Sequence, residues 1–416
     1  MSNRKKVLYN QKHYDVVKKG PKAILEFKKH HPNTIFKLEG VRLRKANLKG
    51  ADLRGALLEE ADLREANLEG AQLYKANLEK ADLYKAHLGG AHLEEANLRK
   101  ANLEGAQLYK ANLEMADLYE AQLENALLAC ANLKGAELSH AHLEGATFQS
   151  ACLEKAKLLW THLEKAELRM AHLEGADLSF AHLEGADISY AHLERAKLIR
   201  THLEEANITN TYLEGADISF AYLDGASMRL ISLDEQSSFL YTTFGNATLS
   251  IPKGVDKKNA IKILSQGVVN NIQFTNPVFG RQVRDEAWLN HWKKGVEKEP
   301  KLKKVLAWLW KCTSDYGRSF FRWGITSFIL VLIFALIYLT YFNSPTHMHM
   351  LPELNRTNFI TYLYFSFVTF ATLGYGDISA VSWQAQLVAI LEVVLGYIML
   401  GGLVSILANK LSRRND

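Results

Sequence analysis

Cysteine and proline are scarce among the 416 residues of this chain, which contains 3 cysteines and 7 prolines. Cys130, Cys152 and Cys312 are odd in number and lack the spacing of a metal or redox site. They therefore argue against a disulfide framework and favour a reducing compartment. None of the prolines falls within residues 36–235, so every residue of that long segment can donate a backbone hydrogen bond.

A strong net charge is also lacking, because the formal charge is only +5. This value is too small to imply nucleic acid as a partner. The charge is unevenly distributed: residues 36–235 contain 22 Lys and Arg against 33 Asp and Glu, a net charge of −11, so the other segments carry +16. No nucleophile, base and orienting acid converge in the pattern, and we do not expect an enzyme.

Residues 1–35 are basic and have no apolar stretch of the kind found in signal peptides. Pro21 predicts the start of a short helix over 23–29, and Pro32 predicts its end. We interpret this segment as an N-terminal cap on the domain that follows.

From Phe36 to Glu235 the sequence keeps a five-residue register without insertion, giving 40 repeats with alanine first in 34 and leucine third in 35. A period of five fits neither an amphipathic helix nor a strand. The segment resembles the pentapeptide-repeat family, which implies a right-handed quadrilateral β-helix, a solenoid with twenty residues in each coil. Ten coils about 4.8 Å apart would form a rod roughly 48 Å long, serving as a scaffold or as a sensor.

Residues 236–317 break the register and are interpreted as a helical linker. Helices are predicted over about 256–268, 280–295 and 300–313. The last is basic and rich in tryptophan, which favours an amphipathic helix on an anionic membrane surface over a helix packed against protein. Membrane lipids are therefore expected partners.

Two runs, 323–342 and 387–408, are long and apolar enough to cross a bilayer. Basic residues precede the first run and follow the second, so both flanks should stay in the cytoplasm and the number of crossings should be even. The apolar segment 358–371 between them is therefore predicted to enter and leave on one side as a re-entrant pore helix.

That segment is followed by Thr372-Leu373-Gly374-Tyr375-Gly376-Asp377. Its two glycines permit positive-φ conformations that aim successive carbonyl oxygens at one axis, where they can replace the hydration shell of a cation. Residues 318–414 resemble the two-transmembrane potassium channels, although Leu373 stands where valine is usual. The resemblance implies an all-α membrane pore domain at 318–416, potassium bound along Thr372 to Tyr375, Asp377 at the outer mouth, and a homotetramer.

The second crossing helix contains further candidate residues. Gly396 matches the gating hinge of such channels, with close helix packing as the alternative. Glu392 is costly in a membrane and is expected to contact the back of the pore helix, with Thr369 as the suggested partner. Pore-lining positions are Gly401 and Ser405, with Leu400 and Val404 close to them.

Stacking the solenoid in steps of twenty residues predicts columns of like side chains. Neighbouring acids in such a column repel, so a divalent cation or a basic segment of a neighbouring subunit is expected to bind and bias the gate, with histidine adding pH sensitivity. The alternative is that nearby lysines and solvent ions compensate the repulsion between these acids, and that the column has no further role. The histidine column consists of Glu144, Glu164, Glu184 and Glu204 beside His142, His162, His182 and His202.

These features predict a tetrameric, potassium-selective channel in the cell inner (plasma) membrane, a multi-pass protein with cytoplasmic termini. No cofactor is expected beyond permeant potassium and the divalent regulator. No Arg-rich voltage-sensing helix precedes the pore, so the cytoplasmic solenoid is expected to scaffold or gate it, in response to a regulator left open. The alternatives are a non-selective cation channel and a membrane-tethered interaction protein whose acidic solenoid binds a protein partner.

Overall fold

The computed structural model describes residues 9–250, 257–267, 273–274, 277–297, 311, 320–351, 354–373 and 376–412. They belong to two compact units, one within Met1–Asn290 and the other within His291–Asp416.

Two helices precede the solenoid, α1 (Gln11–Lys18) and α2 (Pro21–His30). The Asn10 side chain caps α1 by accepting from the backbone of Lys12 and His13, and Pro21 takes the first position of α2, where a missing N–H leaves no partner unsatisfied. Val17 and Ile24 are fully buried and join the same core as the first coils. Of the two helices, only α2 was predicted from the sequence.

The repeats form a β-helix solenoid. Parallel bridges join the second residue of each repeat to the residue twenty positions later, from Lys37 and Leu57 to Tyr212 and Ser232. The first and third positions of the repeats are buried almost throughout, which fills the interior with alternating alanine and leucine. The twenty-residue coil is thus confirmed, and it places residues that differ by twenty in vertical contact.

The corner of each repeat up to Leu230 depends on the fifth residue, which takes a positive φ whether or not it is glycine. Lys45 has φ of 59° and Gly50 has φ of 65°. Its N–H donates to the next coil, as Lys45 N does to Arg64 O at 2.9 Å. The left-handed conformation costs a non-glycine residue about 1–2 kcal/mol, and this ladder bond helps to offset that cost.

The solenoid continues beyond the predicted boundary at Glu235. Bridges join Asp217 to Ser238 and Tyr222 to Thr243. The two partners of each bridge are now 21 residues apart, because one extra residue is present between Ser232 and Ser238. Strands β1 (Ser227–Met228), β2 (Thr248–Leu249) and β3 (Gln273–Phe274) then pair in parallel. The fully buried Phe239 and Phe244 extend the core, with aromatic rings where leucine stood before.

Two helices follow, α3 (Lys257–Leu264) and α4 (Pro277–Glu297). Helix α3 ends four residues before its predicted end at 268, and α4 begins at Pro277, three residues before its predicted start. The predicted helix over 300–313 lies outside the described residues except for Lys311.

The second unit contains three apolar helices and a two-stranded antiparallel sheet. Helices α5 (Phe320–Tyr341) and α7 (Trp383–Ser412) contain two stretches long and apolar enough to cross a membrane, Phe321–Tyr341 and Trp383–Leu407. Helix α6 (Phe359–Phe370) lies between them in the sequence and packs against both. Strands β4 (Met348–Met350) and β5 (Ile378–Ala380) pair with Met348 opposite Ala380.

Candidate pore site

Helix α6 has twelve residues and leads directly into the hexapeptide at 372–377. At about 18 Å it is too short to cross a hydrocarbon core of about 30 Å. The Asn358 side chain caps its start by accepting from Ile360 N at 2.9 Å. At its end, Leu373 N donates to Val368 O at 2.9 Å and Thr372 takes a φ of 60°, the left-handed turn that commonly ends a helix.

The two ends of the hexapeptide are held by different elements. Thr372 and Leu373 follow α6 and are exposed, whereas Gly376 has a φ of 80° and Asp377 accepts from Leu351 N at 3.2 Å through its backbone oxygen. Sheet β4–β5 begins one residue later and ties this end to the chain before α6. Gly374 and Tyr375, the middle of the predicted filter, lie outside the described residues.

Glu392 on α7 is completely buried and connects all three helices. The Tyr338 hydroxyl on α5 donates to Glu392 Oε2 at 3.0 Å, and the Ser366 hydroxyl on α6 lies in hydrogen-bond contact with Glu392 Oε1. Ser366 Oγ is also 2.9 Å from Val331 O on α5. Contact with the back of the short helix was predicted, but the partner is Ser366, one helical turn before the suggested Thr369.

Gly396 lies where α7 passes close to the end of α6. A Cβ atom there would overlap the Phe370 carbonyl oxygen. Three residues further, Met399 O accepts from Trp323 Nε1 on α5 at 2.8 Å. Helix α7 is continuous through these positions, so the structure provides the packing contact that was the alternative to a hinge, while a hinge function stays a prediction.

The predicted lining positions of α7 lie on its outer side. Leu400 and Val404 are more than half exposed, and Gly401 and Ser405 are also exposed. Among the described residues, no atom lies within 4 Å of a Cβ built on Gly401. These four residues therefore point away from α5 and α6, as a pore-facing stripe requires.

In the solenoid, the histidine column exists as predicted. Its imidazole rings stack almost parallel, with centroids 4.9 Å apart for His142 and His162, 5.1 Å for His162 and His182, and 4.7 Å for His182 and His202. Each Nδ1 lies 3.1–3.3 Å from the Oε1 of the glutamate two residues later. The binding of a cation or a partner at this column stays a prediction.

Two protein families match this chain in separate regions. A family described as "Ion channel" matches residues 325–413, and one described as "Pentapeptide repeats" matches in eight copies over residues 42–79, 76–114, 116–154, 156–193 and 191–229. The chain combines pentapeptide repeats with an ion channel domain. The channel match contains most of α5 and all of α6, and it reaches the end of α7, so the apolar helices belong to a membrane protein.

Solved structures similar to this chain are pentapeptide-repeat proteins. HetL from the cyanobacterium Nostoc sp. strain PCC 7120 is 29% identical, with 56% of this chain and 98% of HetL covered and a TM-score of 0.30. Rfr23 from the cyanobacterium Cyanothece 51142 is 24% identical, with 37% and 90% covered and a TM-score of 0.18. QnrB1, a plasmid-mediated fluoroquinolone resistance protein, is 16% identical, with 57% and 89% covered and a TM-score of 0.21. No curated protein matches the sequence.

Proposed function

We propose that the chain is one subunit of a homotetrameric, potassium-selective channel in the plasma membrane, with both termini in the cytoplasm and the solenoid scaffolding or gating the pore. In this proposal α5 and α7 cross the membrane, α6 is the re-entrant pore helix, and residues 372–377 form one quarter of the selectivity filter.

The observation that carries the proposal is the position of the hexapeptide at the C-terminal end of α6. The macrodipole of a helix places partial negative charge at that end, which favours a cation beside Thr372. The flanking residues are held by the end of α6 on one side and by β4–β5 on the other. A filter needs such support, because the carbonyl oxygens that replace water must keep their spacing as ions pass.

Tetramer formation is supported by the apolar surface that a single chain leaves uncovered. Ile390, Tyr397, Ile398 and Val404 on α7 are each between 57% and 60% exposed in the isolated chain. Ile390, Tyr397 and Val404 are spaced by seven residues and share one face of α7, whereas Ile398 lies about 100° around the helix from Tyr397. Neighbouring subunits, lipid and the pore would together account for this exposed surface. One chain supplies only one hexapeptide, and four are needed to surround an ion.

The proposal is tested by reconstituting the full-length protein in liposomes and measuring cation flux. We expect potassium to pass far faster than sodium, and Gly374→Ala to abolish the flux. Gly324→Ala is the matched control, because no described atom lies within 4 Å of a Cβ at Gly324 on the outer helix α5. The control variant should conduct like the parent protein.

The alternative functions predict other results. Equal potassium and sodium flux, lost in Gly374→Ala, would identify a non-selective cation channel. A stably inserted protein without cation flux under all conditions would favour the membrane-tethered interaction protein and overturn the proposal.

A further inference from the structure

The histidine column contains groups of side chains whose ligand atoms lie close enough to share one ion. Within it, one ligand atom each of His182, Glu184 and His202 lies within 4.8 Å of the others. This is the one group in the column that combines two imidazoles with a carboxylate. Three further groups have one imidazole and two carboxylates: Glu144, His162 and Glu164 within the column, Glu124, His142 and Glu144 at its end, and Glu174, His192 and Glu194 outside it.

A second observation concerns the carboxylate oxygens that do not face the histidines. The Oε2 atom of Glu184 is shielded from solvent and has no hydrogen-bond partner in the described part of the chain. The same holds for Glu124, Glu144, Glu164 and Glu204, and also outside the column for Glu39, Glu59, Glu94, Glu174, Glu194 and Glu214. The stacked imidazoles beside the glutamates therefore distinguish the column from Glu94. A buried oxygen without a partner loses about 1–3 kcal/mol of solvation, so a whole column of them has a strong need for a cation or a donor.

We propose that this column binds a first-row transition-metal dication, for which Zn²⁺ is the probe, and that His182, Glu184 and His202 form the tightest site. Imidazole nitrogen together with carboxylate oxygen is a donor set that suits zinc. Calcium and magnesium prefer six or more oxygen ligands or several retained waters, and the imidazoles offer them little. The nature of the ligands thus narrows the divalent cation to a borderline-soft metal.

The distances fit this chemistry. Glu184 Oε1 lies 3.1 Å from His182 Nδ1 and 3.9 Å from His202 Nδ1. Two ligand atoms that are each about 2.1 Å from a zinc ion are separated by roughly 3.0–4.2 Å as the angle between them opens from 90° to 180°. Both observed separations lie in this range. Glu184 Oε1 and the Nδ1 atom of either histidine can therefore bind one zinc ion with little movement.

Binding by both imidazoles requires one local change. The rings of His182 and His202 are stacked with an angle of 6° between their planes, whereas a metal ion lies in the plane of each imidazole that binds it. One ring must therefore turn about its Cβ–Cγ bond, a torsion with broad preferences. The side chains of His182, Glu184 and His202 are 30%, 36% and 33% exposed, which leaves space for that rotation and for a water ligand.

The site is tested by titrating Zn²⁺ into the untagged, full-length protein in detergent at neutral pH, using calorimetry. We expect saturable binding that weakens at least tenfold when His182 and His202 are both replaced by asparagine. Asparagine fits the fold, because Asn102 and Asn207 occupy the same repeat position. Glu184→Gln should also weaken binding while both imidazoles remain.

His92→Asn is the matched control. His92 pairs with Glu94 at 3.1 Å as in the column, but its neighbours in the ladder are Gln72 and Asn112, so it has no second imidazole. This variant should bind Zn²⁺ like the parent protein. X-ray absorption of the bound zinc should show nitrogen and oxygen scatterers, with the imidazole pattern reduced in the double variant.

Two results would overturn the proposal. One is an unchanged Zn²⁺ affinity in both the double variant and Glu184→Gln, with circular dichroism showing the same fold. The other is saturable binding of Ca²⁺ or Mg²⁺ as tight as that of Zn²⁺. The measurement is of binding alone, so it is independent of whether the protein conducts potassium.

Discussion

Tyr338 on α5 and Glu392 on α7 are 54 residues apart in the sequence and are joined inside the channel domain by a hydrogen bond of 3.0 Å. Ser366 on α6 contacts the other oxygen of the same carboxyl group. The Ser366 hydroxyl carries one proton yet reaches two acceptors, Glu392 Oε1 and Val331 O. Each of these groups has a partner when the Glu392 carboxyl group donates its own proton to Ser366 Oγ, the Ser366 hydroxyl donates to Val331 O, and the Tyr338 hydroxyl donates to Glu392 Oε2.

The first prediction follows from this count of donors and acceptors. In Glu392→Gln, the side-chain amide can donate to Ser366 and accept from Tyr338, so thermal stability and cation flux should stay close to those of the parent protein. Glu392→Ala removes both and leaves the buried Tyr338 hydroxyl without its acceptor, at about 1–3 kcal/mol, while Ser366 keeps Val331 O as its acceptor. We expect this variant to lose stability in detergent, measured by its unfolding temperature, and to lose flux.

Glu392→Gln is the decisive variant. The contrary result is a Glu392→Gln variant that loses as much stability and flux as Glu392→Ala, with both variants keeping the parent fold. The site would then require an ionised carboxylate, and Glu392 would not donate a hydrogen bond to Ser366.

The second prediction concerns Gly396. Its Cβ would overlap the Phe370 carbonyl oxygen, so Gly396→Ala should push α7 away from the end of α6 and disturb the hexapeptide that follows. Overpacking of this kind commonly costs 1–3 kcal/mol. We expect a lower unfolding temperature together with a lower potassium-to-sodium flux ratio.

The control for Gly396→Ala is Gly324→Ala on α5, where a methyl group meets no described atom within 4 Å. A hinge without a packing role predicts a different outcome, namely unchanged stability and selectivity with a reduced open probability in single-channel recordings.

The five-residue register of alanine and leucine carried the resemblance to the pentapeptide-repeat family, and that resemblance implied the solenoid with its coil of twenty residues. It could not predict the end of the solenoid. Beyond Glu235 one extra residue breaks the register, yet Phe239 and Phe244 still fill the core and the parallel bridges continue. A pattern based on leucine does not extend to a coil whose interior is filled by phenylalanine.

In the channel domain, hydropathy and the hexapeptide predicted the helices to within a few residues, because membrane-length apolar runs are strong local signals. The partners of Glu392 were harder to predict. Ser366 and Thr369 lie on one face of α6, and helical phase alone does not distinguish them. Tyr338 gave a weak signal, a phenolic hydroxyl within an otherwise apolar run, whose meaning depends on how α5 and α7 pack.

The third prediction concerns the contact of α2 with the first coils. Arg54, and then Lys28 on α2, hold the pKa of Asp52 well below its ordinary value of 3.8. Since this pKa is lower in the folded state, the stabilisation is complete above about pH 4 and is lost as the pH falls towards the folded value. We expect α2 amides to lose protection from hydrogen exchange, corrected for intrinsic rates, as the pH falls from 5 to 2.

Asp52→Asn should reduce that protection at pH 7 by about 1–3 kcal/mol and remove much of its pH dependence. Asp62→Asn is the control. Asp62 accepts two side-chain hydrogen bonds from Arg64, as Asp52 does from Arg54, but Lys28 on α2 donates to Asp52. Equal loss of α2 protection in both variants would contradict a specific role of the Lys28–Asp52 contact.

The fourth prediction tests the strain at the corners of the solenoid with two tyrosines of similar exposure. Tyr190 is 47% exposed and has a φ of 59°, whereas Tyr109 is 49% exposed and lies at the fourth position of its repeat, outside the positive-φ set. Tyr190→Gly relieves about 1–2 kcal/mol of left-handed strain but adds about 0.5–1 kcal/mol of backbone entropy to the unfolded chain. We therefore expect a net gain of up to about 1.5 kcal/mol.

Tyr109→Gly brings the same entropic penalty without relief of strain, and it also removes the tyrosine ring that lies 5.0 Å from Lys110 Nζ. It should therefore destabilise the solenoid. The comparison is best made by hydrogen exchange in the coils around each site, because stacked repeats unfold in local units and a single unfolding temperature averages over them. The prediction would be wrong if Tyr190→Gly lowered protection as much as Tyr109→Gly did. The positive φ at the fifth position would then carry no strain, because side-chain contacts along the corners would stabilise that conformation.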